Sequence, residues 1–210
     1  MVTKEDFLKA VEEIRKQDVK VKFKQTVDLI VNLKDFDLKK NSLNLVLPIP
    51  HKFEDKKIAG FLEKKSTLLD TITKAEFDDF KDKKKMKKLV RSYDLFIASA
   101  KLMPAIATSF GRALGPAGKM PSPQLGVIMV ENDNSIKEVI TKINLTIKVK
   151  AKEPSVKLAI AKEDNKDMDI AENAFFVYNE ILKNLPRGKD NLKSVLIKFT
   201  MTKPAKVKLQ

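Results

Sequence analysis

The feature that most restricts how this chain can fold is an alternation over residues 20–34. Val21, Phe23, Gln25, Val27, Leu29, Val31 and Leu33 fall in one phase; Lys22, Lys24, Thr26, Asp28, Ile30, Asn32 and Lys34 fall in the other. Side chains two apart share a face of a β-strand, so the segment predicts a strand with one buried and one polar face. The far end of the chain repeats the pattern. Val195, Ile197 and Phe199 alternate, residues 200–204 interrupt, and Ala205, Val207 and Leu209 alternate against Lys206 and Lys208. Taken alone, either stretch fits an ordinary amphipathic strand.

Charge narrows the choice of partner. The 42 Lys and Arg outnumber the 28 Asp and Glu, a net charge of +14, in a 210-residue chain with enough apolar residues for a packed core. Such a surplus repels itself unless an acidic partner neutralises it, and nucleic acid is the default, ahead of an anionic membrane. Arginine is confined to Arg15, Arg91, Arg112 and Arg187. Most of the charge is therefore carried by lysine, a flexible point charge suited to phosphate attraction rather than to reading base edges. With no cysteine, disulfides, thiol catalysis and cysteine-ligated zinc are excluded, and with His51 as the only histidine no cluster or triad can draw on more than one imidazole. His51 itself is expected in a loop. No apolar run approaches the roughly 20 residues of a membrane span, and Lys4, Glu5 and Asp6 interrupt any signal-peptide core. The expectation is a cytoplasmic protein.

Between the two alternating ends the character changes. Thr3 with Asp6 predicts a capping box for a first helix carrying Phe7, Leu8, Val11 and Ile14, ending at Gln17-Asp18. Leu43, Leu45 and Leu47 form a second half-buried strand, stopped by Pro48 and Pro50. The middle then reads as short apolar strands and helices in turn. Apolar runs at 57–62 and 68–73 precede a basic helix over 77–90, followed by a strand buried on both faces at Leu95-Phe96-Ile97-Ala98. A helix over 103–114, a loop over 111–123 and a strand at 127–130 come next, then a helix capped by Asn134 or Ser135. That order predicts an α/β unit of parallel type. Alternation returns at Leu145, Ile147, Val149 and Ala151, against Lys148, Lys150 and Lys152. It resumes past Pro154 at Val156, Leu158 and Ile160, as a hairpin would. A helix beginning at an Asp169–Glu172 capping box follows. The predicted fold is a discontinuous α+β domain, antiparallel-rich, made from 1–54 and 145–210, with an α/β domain inserted over 55–144. The two crossings, near 52–55 and 143–146, would form a two-stranded hinge.

The glycine-rich stretch over 111–123 holds Arg112, Gly115, Pro116, Gly118, Lys119, Met120 and Pro121. A phosphate-binding loop leads from a strand into a helix, so that helix N-terminal amides face the anion. Here the loop follows a helix and lacks the Gly-Lys-Ser/Thr ending. It is expected to be a rigid, proline-locked loop presenting Arg112 and Lys119. None of the carboxylates sits in the apolar setting that marks a tuned acid–base pair. Aromatics are few, and only Phe23, between Lys22 and Lys24, is placed as a base-stacking platform.

Several separated motifs resemble one family. Leu114-Gly115-Pro116 with Met120-Pro121-Ser122-Pro123 is similar to the signature of the large-subunit ribosomal protein L-one family. In agreeing order come 23–29 (Phe-Lys-Gln-Thr-Val-Asp-Leu), 32–35 (Asn-Leu-Lys-Asp), 46–48 (Val-Leu-Pro), 93–98 (Tyr-Asp-Leu-Phe-Ile-Ala), 102–104 (Leu-Met-Pro), 171–174 (Ala-Glu-Asn-Ala) and 200–201 (Thr-Met). These resemble the archaeal type and cover nearly the whole chain. The resemblance implies a Rossmann-like inserted domain and binding to large-subunit rRNA at the base of a mobile stalk. The stalk helps deacylated tRNA leave the exit site. In many members the same surface represses the protein's own mRNA.

Carried over by position, the implied RNA contacts are Lys22, Phe23, Thr26, Asp28, Thr200, Met201 and Thr202; Lys203 is expected to complete the site, and Lys148, Lys150 and Lys157 to add phosphate attraction. Hydroxyl and carboxylate groups suit 2′-hydroxyls in a shallow RNA groove. Thr202 stands where the family usually has glycine, Ile49-Pro50-His51-Lys52 departs from the usual Pro-His-Gly, and residues 61–80 look short against the family. The expectation is a non-enzymatic protein without cofactor, metal or small-molecule substrate. The alternative is an enzyme whose middle domain binds a nucleotide; a basic membrane-surface protein is disfavoured because the helices lack a wide apolar side.

Overall fold

The computed structural model describes residues 2–17, 19, 21–37, 43–52, 54–80, 82–151 and 153–208. Asp18, Lys20, residues 38–42, Phe53, Lys81, Lys152 and Leu209, which the readings above touch, lie outside the described residues. The chain enters through α1 (Lys4–Arg15), β1 (Thr26–Leu33) and β2 (Asn44–Pro48). It then forms β3 (Ile58–Phe61), β4 (Asp70–Ile72), a 3-10 segment (Lys74–Phe80), α2 (Lys83–Ser92), β5 (Leu95–Ser99), α3 (Met103–Ala117), β6 (Val127–Ile128) and α4 (Asp133–Asn144). It ends with β7 (Thr146–Lys150), β8 (Ser155–Lys162), α5 (Asp167–Lys183), β9 (Leu192–Phe199) and β10 (Ala205–Val207). The fold is mixed α/β. It divides into two compact units, Met1–Glu54 with Leu145–Gln210, and Asp55–Asn144.

In the first unit β10, β9, β1 and β8 form an antiparallel sheet in that order, and β2 pairs with β7 in a second, two-stranded sheet. The odd positions of β1, Val27, Leu29, Val31 and Leu33, are buried with Phe7, Val11 and Ile14 of α1 and Ile170, Val177 and Ile181 of α5. Asp6 fixes the start of α1 by accepting from the Thr3 N–H and hydroxyl, both at 2.9 Å. Phe7 meets Tyr178 edge-on at 5.7 Å, so α1 and α5 interlock over one face of the sheet. The other face of β1 carries the half-exposed Thr26, Asp28, Ile30 and Asn32.

In the second unit β4, β3, β5 and β6 are parallel neighbours in that order. Buried Phe61 stacks on Phe96 at 5.4 Å and lies tilted against Phe110 of α3 at 5.0 Å, which joins α3 to the sheet. The connection from β3 to β4, residues 62–69, contains no helix.

Several sequence-based expectations are corrected. The alternation over 20–34 becomes a strand only from Thr26, because β8 ends opposite Thr26 and β9 opposite Val27. Without a neighbour to bond, Lys22 and Phe23 bend away. β7 and β8 are not a hairpin: each pairs with a different sheet, and the turn between them is tied to β1 through Leu33 N–H to the Pro154 carbonyl at 2.9 Å. The helix expected over 77–90 is a 3-10 segment and a separate α2, whose N-cap Asp82 accepts the Lys84 N–H at 3.0 Å. α4 starts before Asn134 and Ser135, and α5 before Asp169, so none of these three caps its helix. β6 stops at Ile128 rather than Val130.

The expected loop over 111–123 is largely helix. Gly111, Arg112, Gly115 and Pro116 all lie in α3. The helix closes on Gly118, whose φ of 69° permits a Schellman ending: Lys119 N–H bonds the Leu114 carbonyl at 3.1 Å and Gly118 N–H that of Gly115 at 2.9 Å.

Candidate nucleic-acid interface

Thr26 opens β1, and Thr200 lies just past β9, its antiparallel neighbour. The Thr26 N–H donates to the Thr200 hydroxyl at 3.1 Å, and that hydroxyl donates to the Thr26 carbonyl at 3.4 Å. The neighbouring residue completes the junction: Gln25, buried at 3% exposure, accepts the Met201 N–H at 3.0 Å. Gln17, just after α1, accepts the Lys203 N–H at 2.8 Å and donates to its carbonyl at 3.2 Å. Side-chain-to-backbone bonds thus hold the 200–203 turn against the start of β1 and the end of α1. At this end of the sheet Phe23 and Met201 are 53% and 57% exposed.

The polar groups between them are held rather than loose. Lys162, opposite Thr26 on β8, donates to the Thr26 hydroxyl at 3.1 Å and pairs with Glu54 at 3.3 Å. Asp28 lies across from Lys198 on β9. Partial burial pushes its carboxyl above the usual aspartate range, and Lys198 and Lys162 pull the other way. Lys24 is committed to an ion pair with Asp164, which raises its pKa. Arg15 bonds the Glu163 and Asn165 carbonyls at 3.1 and 3.0 Å, pairs with Asp167 and lies over the Phe199 ring, so it braces the turn after β8. Among the described residues, Lys22, Lys203 and Lys206 have no ion-pair partner.

The structure therefore brings Lys22, Phe23, Thr26, Asp28, Thr200, Met201 and Lys203 to one end of one sheet. Lys157 shares the outer face but stands four positions further down, opposite Ile30, and pairs with Glu153 at 3.6 Å. Lys148 and Lys150 belong to β7, in the other sheet. Thr202 points inward. At 5% exposure, its hydroxyl accepts the Phe199 N–H at 2.9 Å and its own N–H reaches the Phe199 carbonyl at 3.3 Å. The Thr202 side chain stitches the turn instead of presenting itself at the surface. Gln17, Gln25, Lys162 and Lys198 belong to the site although sequence reasoning passed over them. Gln25 alone carried a signal, a polar residue in the buried phase.

The glycine-rich stretch belongs to the Asp55–Asn144 unit. The Lys119 ammonium donates to the Val90 and Tyr93 carbonyls at 2.9 and 2.7 Å, capping the C-terminus of α2 rather than facing solvent. Pro121 is buried and Met120 packs on the second core, which leaves Arg112 as the exposed cation of the motif.

The parallel sheet offers no nucleotide cradle at the corresponding turn. β5 leads into α3 through 100–102 and Pro104 without a glycine. Beyond β3 the Glu63 N–H is occupied by the Glu131 carboxylate at 3.1 Å, where an anionic ligand would be repelled. Among the described residues no cluster of acidic or histidine side chains is arranged to hold a metal, and no helix is long and apolar enough to cross a membrane.

One end of the sheet thus combines cations, fixed hydroxyls and exposed Phe23 and Met201. The chain belongs to the ribosomal protein L1p/L10e family, whose model matches residues 8–203. It is 37% identical to the large ribosomal subunit protein uL1 of Thermococcus kodakarensis, over 96% of this chain and 98% of the relative. The proteins of the same name from Pyrococcus abyssi and Pyrobaculum calidifontis are 35% and 32% identical, over 97% and 99% of this chain and 97% and 96% of theirs.

Proposed function

We propose that the unit built from both ends of the chain binds large-subunit rRNA through the end of the sheet formed by β1 and β9. As a member of this family the protein is a structural component of the large ribosomal subunit, not an enzyme, and works on the ribosome in the cytoplasm. The observation that carries the RNA site is the pair of bonds between Thr26 and Thr200. They set the 22–28 and 200–203 segments side by side, with hydroxyls, a carboxylate and unpaired lysines around exposed Phe23 and Met201. Thr26 and Asp28 serve as acceptors for 2′-hydroxyls, and Lys22 and Lys203 meet phosphates. The Asp55–Asn144 unit is a Rossmann-like insert that carries no nucleotide. On the stalk the protein assists release of deacylated tRNA from the exit site, and the same surface represses its own mRNA.

Direct titration with an rRNA stalk fragment tests the site. Thr26→Val and Met201→Asp should each lower affinity by tenfold or more. The wild-type log–log salt slope should be on the order of −0.7 to −0.9 per phosphate contacted. Unchanged affinity in both variants would place the RNA elsewhere. Crosslinking in cells should recover peptides spanning 22–28 and 200–203, and crosslinks confined to other peptides would argue against the site. Toeprinting on ribosomes with tRNA in the exit site, and cell-free translation of the protein's own mRNA, test the two further roles.

A further inference from the structure

The second unit carries a groove that the RNA site leaves unused. It runs between α2 and α3 and encloses about 610 Å³. Its floor is aliphatic, made by Met86 and Val90 of α2 and by Ala113 and Pro116 of α3. Small side chains on α3 leave the space open. Its rim is cationic: Lys83, Lys87 and Arg91 from α2, and Arg112 from α3, all exposed. Among the described residues none of these four has a carboxylate partner, and no acidic residue lines the groove.

We propose that this groove docks an acidic amphipathic helix of a protein partner. Lys83, Lys87 and Arg91 recur every four residues, a row spaced at about 6 Å per step at a rise of 1.5 Å per residue. A helix lying along that row with carboxylates at the same spacing meets each cation, while its apolar stripe covers the floor. The lining contains no aromatic ring, so a nucleic acid would find phosphate partners but no platform for its bases. The geometry is braced by Lys119, which ties the end of α3 to the last carbonyls of α2. A contact this short buries well under about 1,200 Å², the range of transient complexes.

The test uses the full chain and fluorescence anisotropy with three labelled probes. One is a 15-residue synthetic helix with leucines on one face and glutamates flanking them. The second has the same composition scrambled to remove amphipathy, and the third is oligouridine. The amphipathic helix should bind at least tenfold more tightly than its scramble. K87E/R112E and Ala113→Gln, which places a polar side chain on the floor, should each remove most of that preference without changing affinity for the rRNA fragment. Equal binding of helix and scramble, or no binding of either, overturns the proposal. So does oligouridine binding that is tighter than the helix and lost in K87E/R112E, which would make the groove a nucleic-acid surface. Because the rRNA fragment reads the other unit, failure here and failure of the RNA site are separate results.

Discussion

The side-chain carbonyl of Gln25 accepts the N–H of Met201 at 3.0 Å, joining residues 176 positions apart in the chain. Gln25 is itself held by Glu163, whose carboxylate takes its N–H at 3.1 Å and whose own N–H reaches its carbonyl at 2.9 Å. Three segments meet at one buried amide.

Gln25→Ala leaves the Met201 N–H without its acceptor. Met201 is exposed, so the loss is that of one net hydrogen bond, about 0.5–1.5 kcal/mol, and the 200–203 turn loses one of its fastenings. The expected outcome is a midpoint several degrees lower in thermal unfolding, with at least a fivefold loss of affinity for the rRNA fragment. A variant that melts and binds like the parent would show that the turn is held by the Thr26 and Gln17 bonds alone.

Asp28 sets function against stability. Its carboxyl is raised by partial burial, so the folded state holds that proton more tightly than the unfolded state. With a raised acid the unfolded chain binds fewer protons through the window above the ordinary value of 3.8. Stability from this group is therefore full below that value and declines as pH rises through the folded pKa. Asp28→Asn removes the decline. It should raise the melting temperature at pH 7 and change it little at pH 3.5, while weakening RNA binding at pH 7 if the carboxylate accepts from a 2′-hydroxyl. Parallel melting curves at the two pH values, with one binding titration, decide this.

Periodicity made the buried face of β1 legible, because Val27, Leu29, Val31 and Leu33 meet the core whichever strands flank them. It could not show where β1 begins, since that depends on Lys162 and Phe199 ending their own strands. Phe23 therefore changes from core phase to exposed surface for a non-local reason. The error at Gly111, Gly115 and Pro116 has the opposite origin. Local propensity favours a loop there, but Ile106, Phe110 and Leu114 are buried at helical spacing, and tertiary packing outweighs the cost of glycine in a helix. The wrongly placed cap at Asp169 concealed a tertiary role: with Glu172 it faces His51, whose Nε2 lies 2.7 Å from the Glu172 carboxylate.

The His51 segment rests on Asn173, which is fully buried. The Asn173 amide donates to the His51 and Ile160 carbonyls at 2.9 and 3.1 Å, and its oxygen accepts the His51 N–H at 3.0 Å. Asn173→Ala orphans all three backbone groups and opens a small cavity. A loss of about 2–4 kcal/mol is expected, read as a shift of the denaturant midpoint at constant slope. Glu172→Gln should cost far less, because its partners His51 and Lys4 are at the surface. Its effect should disappear on acidification, since hydrogen bonds from His51 and Lys4 hold the Glu172 carboxyl below its ordinary value of 4.5 and that stabilisation is lost as pH falls through the depressed pKa. Equal costs for the two substitutions would contradict the buried anchor.

Two glycines of the second unit should respond to alanine with opposite signs. Gly126 has φ of 106°, and a Cβ there would lie 2.8 Å from the Phe96 carbonyl oxygen, on the backbone of the central strand β5. The Gly126 carbonyl meanwhile accepts the Ala98 N–H at 2.7 Å, so the segment cannot retreat without giving up that bond. Gly126→Ala combines a disfavoured backbone conformation with a backbone clash and should destabilise the unit by about 2 kcal/mol or more. Gly111 lies within α3, and its Cβ would meet nothing within 4 Å. Gly111→Ala should therefore stabilise by about 0.5–1 kcal/mol, the ordinary gain from replacing glycine inside a helix. Chemical denaturation followed by a probe in the Asp55–Asn144 unit measures both. Affinity for the rRNA fragment, read from the other unit, should stay within twofold in each variant. A neutral Gly126→Ala would mean that the turn before β6 relaxes away from Phe96, and a destabilising Gly111→Ala would mean that α3 is packed against something at that position.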